Sequence, residues 1–102
     1  MQIDVSTAGD GIATLRLQGR FDFNAHRSFR DAADATVADD KVKGIQVDLG
    51  GVAYLDSSAL GMLLILRDRT LAAHKTLALI NCQGGVRQVL DIANFGKLFS
   101  IL

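Results

Sequence analysis

Tyr54-Leu55-Asp56-Ser57-Ser58-Ala59-Leu60-Gly61-Met62-Leu63-Leu64 joins the end of an apolar strand to an apolar helix, with an acid and two hydroxyls at the join. Asp-Ser-Ser at such a place reads as a helix start, because short polar side chains satisfy first-turn N–H groups that lack an intrahelical partner. A serine there also sits at the positive end of the helix dipole, where negative charge is tolerated. A phosphate added to that hydroxyl would leave the helix standing and would change the surface that a partner meets.

Working outward, Ile45, Val47 and Leu49 alternate as a buried strand ahead of this join, with Gly50-Gly51-Val52-Ala53 expected as a connecting loop. The helix is expected from about Ser58 to Ala73, followed by a strand over Leu77 to Asn81. Val86, Val89, Leu90 and Ala93 mark a further helix that ends near Asn94-Phe95-Gly96, and Leu98 to Ile101 reads as a short last strand. Strand, helix, strand, helix, strand implies parallel pairing through right-handed crossovers. On the N-terminal side, Ile3 with Val5, and Ile12 to Leu17, form two strands around the turn Thr7-Ala8-Gly9-Asp10-Gly11, an antiparallel hairpin. Gly19 to Asn24 is expected as a loop, with Asn24 capping a helix from about Ala25 to Ala38. The fold class is therefore α/β: one domain over residues 1–102, with a mixed four- to five-stranded sheet and three to four helices.

Composition sets the class of partner. The chain of 102 residues is 49% hydrophobic, enough for a core without disulfides. Eleven Lys and Arg balance eleven Asp, which argues against direct nucleic-acid binding. A single cysteine, Cys82, fits a reducing compartment. The start Met1-Gln2-Ile3-Asp4 lacks the basic and apolar regions of a signal peptide. The longest apolar run, Ala59 to Leu66, falls far short of the ~20 residues of a membrane span. A cytoplasmic, soluble protein without membrane insertion is the expectation.

No metal-ligand spacing appears, and no Walker lysine follows the glycine pairs. Cys82, at the close of a buried strand, is expected to be an inert packing residue. A catalytic serine needs a base at hand. His26 lies early in the first helix, and His74 lies ~20 Å or more along the axis from Ser57. No catalytic residue, metal or cofactor is expected, and the chain does not read as an enzyme. The helix after the serines is apolar all round. Leu60, Leu63, Leu64 and Leu71 are expected to face the sheet, and Met62, Ile65 and Leu66 to approach the surface beside the serines.

Two local patterns carry a family resemblance. Leu17-Gln18-Gly19-Arg20-Phe21-Asp22 is similar to L-x-G-x-(L/F)-D, and Asp48-Leu49 followed by Asp56-Ser57-Ser58-Ala59-Leu60-Gly61 is similar to D-L … D-S-(S/T)-(G/A)-L-G. With the order of elements, they resemble the STAS domains, and within them the bacterial anti-sigma factor antagonists. The resemblance implies that Ser57, the hydroxyl directly after the motif aspartate, is the phosphorylation site. It implies that the unmodified domain binds an anti-sigma factor and lets go once phosphorylated. The anti-sigma factor, or a related serine kinase of the histidine-kinase-like ATPase type, would add the phosphate, and a PP2C-type serine phosphatase would remove it. Asp22, Asn24, Asp56, Ser58, Leu60, Gly61, Met62 and Ile65 are the expected partner-binding residues. Two rivals remain: a non-switching STAS subunit of a membrane transport complex, such as a lipid-transport ATPase, with Ser57 a mere cap, and a scaffold in a signalling assembly.

Overall fold

The computed structural model describes residues 1–102. Its strands are β1 (Gln2–Thr7), β2 (Ile12–Phe21), β3 (Gly44–Leu55), β4 (Thr76–Ile80) and β5 (Ser100–Ile101), and its helices are α1 (His26–Ala38), α2 (Ser57–Ala72) and α3 (Gly84–Ile92). The strands stand in the sheet in chain order. β1 runs antiparallel to β2, and β2 to β5 are parallel. Each helix links two neighbouring parallel strands in the same direction, so right-handed crossovers place the helices on one face. Beneath them lies one core of 22 buried residues, with Leu15, Leu17, Ile45, Val47, Leu49, and Leu79 supplied by the sheet.

The pairing of β2 with β3 departs from the expected strand and loop. Gly50-Gly51 is not a loop: β3 runs unbroken from Gly44 to Leu55. Between the Arg16–Asp48 and Phe21–Leu55 pairs, β3 carries two more residues than β2, taken up as irregularities in the ladder. These bulges reset the alternation, so Leu49, Val52 and Leu55 all point into the core at a spacing of three. Glycine is required where the strands close in. A Cβ on Gly51 would lie 2.9 Å from both Gln18 Cγ and the Leu17 carbonyl oxygen. β2 likewise extends through the predicted loop to Phe21.

On the sheet face away from the core, Asp48 ties three strands together. Its carboxylate accepts from Gly50 N–H (2.9 Å) and Asn81 Nδ2 (3.1 Å) and pairs with Arg16 Nε at 3.4 Å. Burial pushes the Asp48 pKa up, but hydrogen bonds from Gly50, Asn81 and Arg16, with the Arg16 charge, outweigh it and leave the pKa below its ordinary value. The same contacts hold the bulged half of β3 in place.

The inward stripe of α2 is Ala59, Met62, Leu63, Leu66 and Thr70, at helical spacing. This corrects the expected face by about a quarter turn. Met62 and Leu66 are buried, whereas Leu71 is 57% exposed. Of the three residues expected near the surface, only Ile65 is there, at 50%. The physical reason is that α2 packs against both the sheet and α1, and a helix apolar all round does not announce which side each neighbour will take.

Candidate functional site

The site lies where β2 and β3 end, at the carboxyl edge of the parallel sheet. Phe21 and Leu55 are register partners, and Asp56 N–H donates to the Phe21 carbonyl at 3.3 Å. That bond brings the residues that follow the two strands, Asp22 after β2 and Asp56 after β3, to the same edge. Asp56 is the N-cap of α2: its extended backbone precedes the helix and its Oδ1 accepts from Ala59 N–H at 3.0 Å. Such a cap is worth ~1 kcal/mol.

Ser57 is therefore the first helical residue, one position earlier than the sequence suggested, and it is exposed. Ser58 is half-buried behind it. Neither histidine hydrogen-bonds to Ser57. His26 stacks on Phe23 with ring centroids 6.1 Å apart, and His74 follows the far end of α2.

The cap predicted at Asn24 falls elsewhere. Asp22 caps a short 3-10 turn, Phe23–Ala25, accepting from Asn24 N–H at 3.0 Å. α1 then starts after Ala25, with no side-chain cap, because the 3-10 turn already occupies the preceding N–H groups. Asn24 itself is exposed at the rim of the site.

Along α2 the remaining candidates differ in reach. Leu60 and Gly61 are half-buried, and a Cβ on Gly61 would meet nothing within 4 Å. Met62 is buried and lines a groove of about 180 Å³ between α1 and α2, together with Phe29, Ala33 and Leu66. Ile65 and Arg30 line the same groove, and Arg69 there pairs with Asp34.

Three residues the sequence left unassigned complete the edge. The Arg20 guanidinium lies over the Tyr54 ring, 4.3 Å from its centroid, and its Nε is 3.6 Å from Asp22 Oδ2. Phe23 is 69% exposed beside them. The local signal was present, since Arg20 sits within the first motif and Tyr54 two residues ahead of Asp56, but only the strand register makes them neighbours. Cys82 is half-buried after β4, and burial pushes its thiol pKa up. No helix is long and apolar enough to cross a membrane.

Residues 5–102 match the family model described as "Mlab, STAS domain". A STAS-domain containing protein of Pseudomonas aeruginosa (strain UCBPP-PA14) is 45% identical over 102 residues, 99% of each chain. Among solved structures, an anti-sigma factor antagonist from Mycobacterium paratuberculosis superposes with a TM-score of 0.86 at 20% identity, over 98% of this chain and 83% of that one. The Bacillus cell fate determinant SpoIIAA in its phosphorylated form gives 0.76 at 19%, over 99% and 91%. A sulfate transporter family protein from Wolinella succinogenes gives 0.76 at 15%, over 90% and 73%. At such identities these three likenesses are of fold alone. With the family model matched across nearly the whole chain and a close relative aligned end to end, the chain belongs to the STAS domain family.

Proposed function

We propose that this domain is an anti-sigma factor antagonist whose grip on its partner is controlled by phosphorylation of Ser57. The observation that carries the reading is the placement of that hydroxyl: exposed, at the first position of a 16-residue helix, directly after the capping Asp56. The helix N-terminus accommodates a phosphate electrostatically. A partner does not. Phosphate brings a charge of about −1.5 to −2 to an edge where Asp22 and Asp56 already stand. A loss of ~3–4 kcal/mol in complementarity weakens binding more than a hundredfold.

In this reading Asp22, Asn24, Asp56, Ser58, Leu60, Gly61 and Ile65 meet the partner directly, and Met62 supports the surface from below. The partner is an anti-sigma factor, and a serine kinase of the histidine-kinase-like ATPase type and a PP2C-type phosphatase set the state of Ser57 in the cytoplasm. The domain acts as ligand and substrate, not catalyst. That SpoIIAA, a protein of the same fold, has been solved in a phosphorylated form supports it. Ser57→Ala should keep partner binding, and Ser57→Asp or Ser57→Glu should lose it. Equal binding by both kinds of variant, with no phosphate on Ser57 after incubation with ATP and the kinase, defeats the proposal.

A second reading is favoured by the family description and by the fold shared with a sulfate transporter family protein. There the domain is a constitutive subunit of a transport complex, docking through α2, and Ser57 only begins the helix. Co-purification with an ATPase subunit, unaffected by Ser57→Asp, would select it.

A further inference from the structure

We propose that the groove between α1 and α2 is the socket for one side chain of the partner protein, an aromatic or branched apolar residue with a carboxylate next to it in sequence. The proposal deepens the reading above, in which the partner meets the exposed side of α2.

The groove is formed by side chains that the core already holds. Its floor is Phe29 and Ala33 from α1 with Met62 and Leu66 from α2, each no more than 6% exposed. Phe29 packs on Phe21 with ring centroids 5.0 Å apart, which fixes its orientation. Ile65, 50% exposed, is the wall on the α2 side. At one end Asp34 and Arg69 reach across from the two helices and pair. The same pair borders a second, more open hollow beside Val37 and Ala72, so it divides the trough between the helices. At the other end stands His26, stacked on Phe23 of the 3-10 turn that Asp22 caps. The groove therefore continues the surface assigned to the partner: Ile65 follows Ser57 by eight residues of the same helix, ~12 Å along the axis.

Size and charge name the occupant. A cavity of about 180 Å³ is smaller than the pockets of whole small-molecule ligands, which start near ~300 Å³. It is somewhat larger than a void of ~150 Å³ that takes one benzene. One ring or one isobutyl group fills it, and single apolar anchors seated in pockets carry most of the energy of protein interfaces. Met62 can follow the shape of the anchor, because its side chain is unbranched and polarizable. Among the charged groups of the lining, Asp34 and Arg69 neutralise each other. Arg30 is left exposed, with no ion pair to any carboxylate. An uncommitted guanidinium at the lip of an apolar socket complements a carboxylate on the segment that delivers the anchor.

Methyl NMR of the full chain tests this with blocked pentapeptides, so neither kinase nor partner is needed. A peptide with phenylalanine between two glutamates should shift the Met62 and Ile65 methyl signals saturably, while Met1, the only other methionine, stays unmoved. Alanine in place of the phenylalanine should abolish the shifts, and lysine flanks should weaken binding. Arg30→Glu, at an exposed position that no side chain leans on for charge, should weaken the glutamate peptide about two- to fivefold, the range of an exposed ion pair, and favour the lysine peptide instead. Shifts that do not need the central ring, or equal binding of both flanks, overturn the proposal. So does phenylacetate binding as tightly as the peptide, which would make the cavity a site for a free small anion. Failure of the phosphorylation switch looks different: Ser57→Asp then binds the partner normally while the glutamate peptide still saturates the Met62 signal.

Discussion

Replacing Gly61 by alanine should strengthen the isolated domain and weaken its binding. Gly61 is the fifth residue of α2, in helical backbone, and outside its own stretch of helix no atom lies within 4 Å of where a Cβ would stand. Glycine in a helix interior costs about 0.8–1.0 kcal/mol against alanine. Nothing in the fold recovers that cost, since no neighbour needs the space. For a domain of this size 1 kcal/mol corresponds to about 4 °C in Tm. Gly61→Ala should therefore melt about 4 °C higher and unfold at higher urea, with an unchanged denaturant slope. The same position lies one helical turn beyond Ser57 and one before Ile65, on the face assigned to the partner. A partner whose backbone approaches here loses room to an added methyl and far more to Gly61→Leu. Calorimetric titration with the partner should show about a tenfold loss for alanine, ~1.4 kcal/mol, and a larger loss for leucine. An unchanged or lower melting temperature for Gly61→Ala would refute the clearance around the glycine. Wild-type affinity for both variants would remove Gly61 from the interface.

Other expectations follow from particular contacts. Asp56→Ala should cost ~1 kcal/mol by removing the α2 cap, whereas Asp56→Ser should recover most of it, as read from urea denaturation. Leu66→Ala, at a fully packed position, should cost roughly 2–5 kcal/mol, and Leu71→Ala under about 0.5. The reverse order would restore the inward face expected from sequence. Asp48 has a folded-state pKa below its ordinary value, so its contribution is present above the unfolded pKa near 4 and is lost as pH falls through the folded one. The stability gap between wild type and Asp48→Asn should accordingly be full at pH 6 and shrink below pH 4; a gap constant from pH 6 to pH 3 would contradict the Arg16–Asp48–Asn81 assignment.

Much of this was legible in the chain because it is local. Ile3 with Val5, Leu15 with Leu17, and Ile45 with Val47 and Leu49 show strand alternation directly, and the parallel order follows from the intervening helices. Asp56 ahead of the apolar run marked the start of α2, and the hydroxyl after it stands where a helix begins. β3 was misread for a physical reason. Its two bulges convert an alternating pattern into Leu49, Val52 and Leu55 at a spacing of three, and the glycine pair that permits them looks like a turn until β2 is laid against it. The 3-10 turn ahead of α1 moved the cap from Asn24 to Asp22 by the same kind of short-range competition for N–H groups.

By itself the sequence determined the alternation of elements, their parallel sense, the single core and the placement of Ser57 at a helix start, since each depends on side-chain periodicity or on a few consecutive residues. Only the tertiary structure decided which stripe of α2 turns inward, how β3 continues past its glycines, and that Arg20, Tyr54 and Asp22 gather into one cluster. Those outcomes depend on what lies opposite: a helix with apolar residues on every side is oriented by its neighbours, and residues on separate strands become partners only when the register is set.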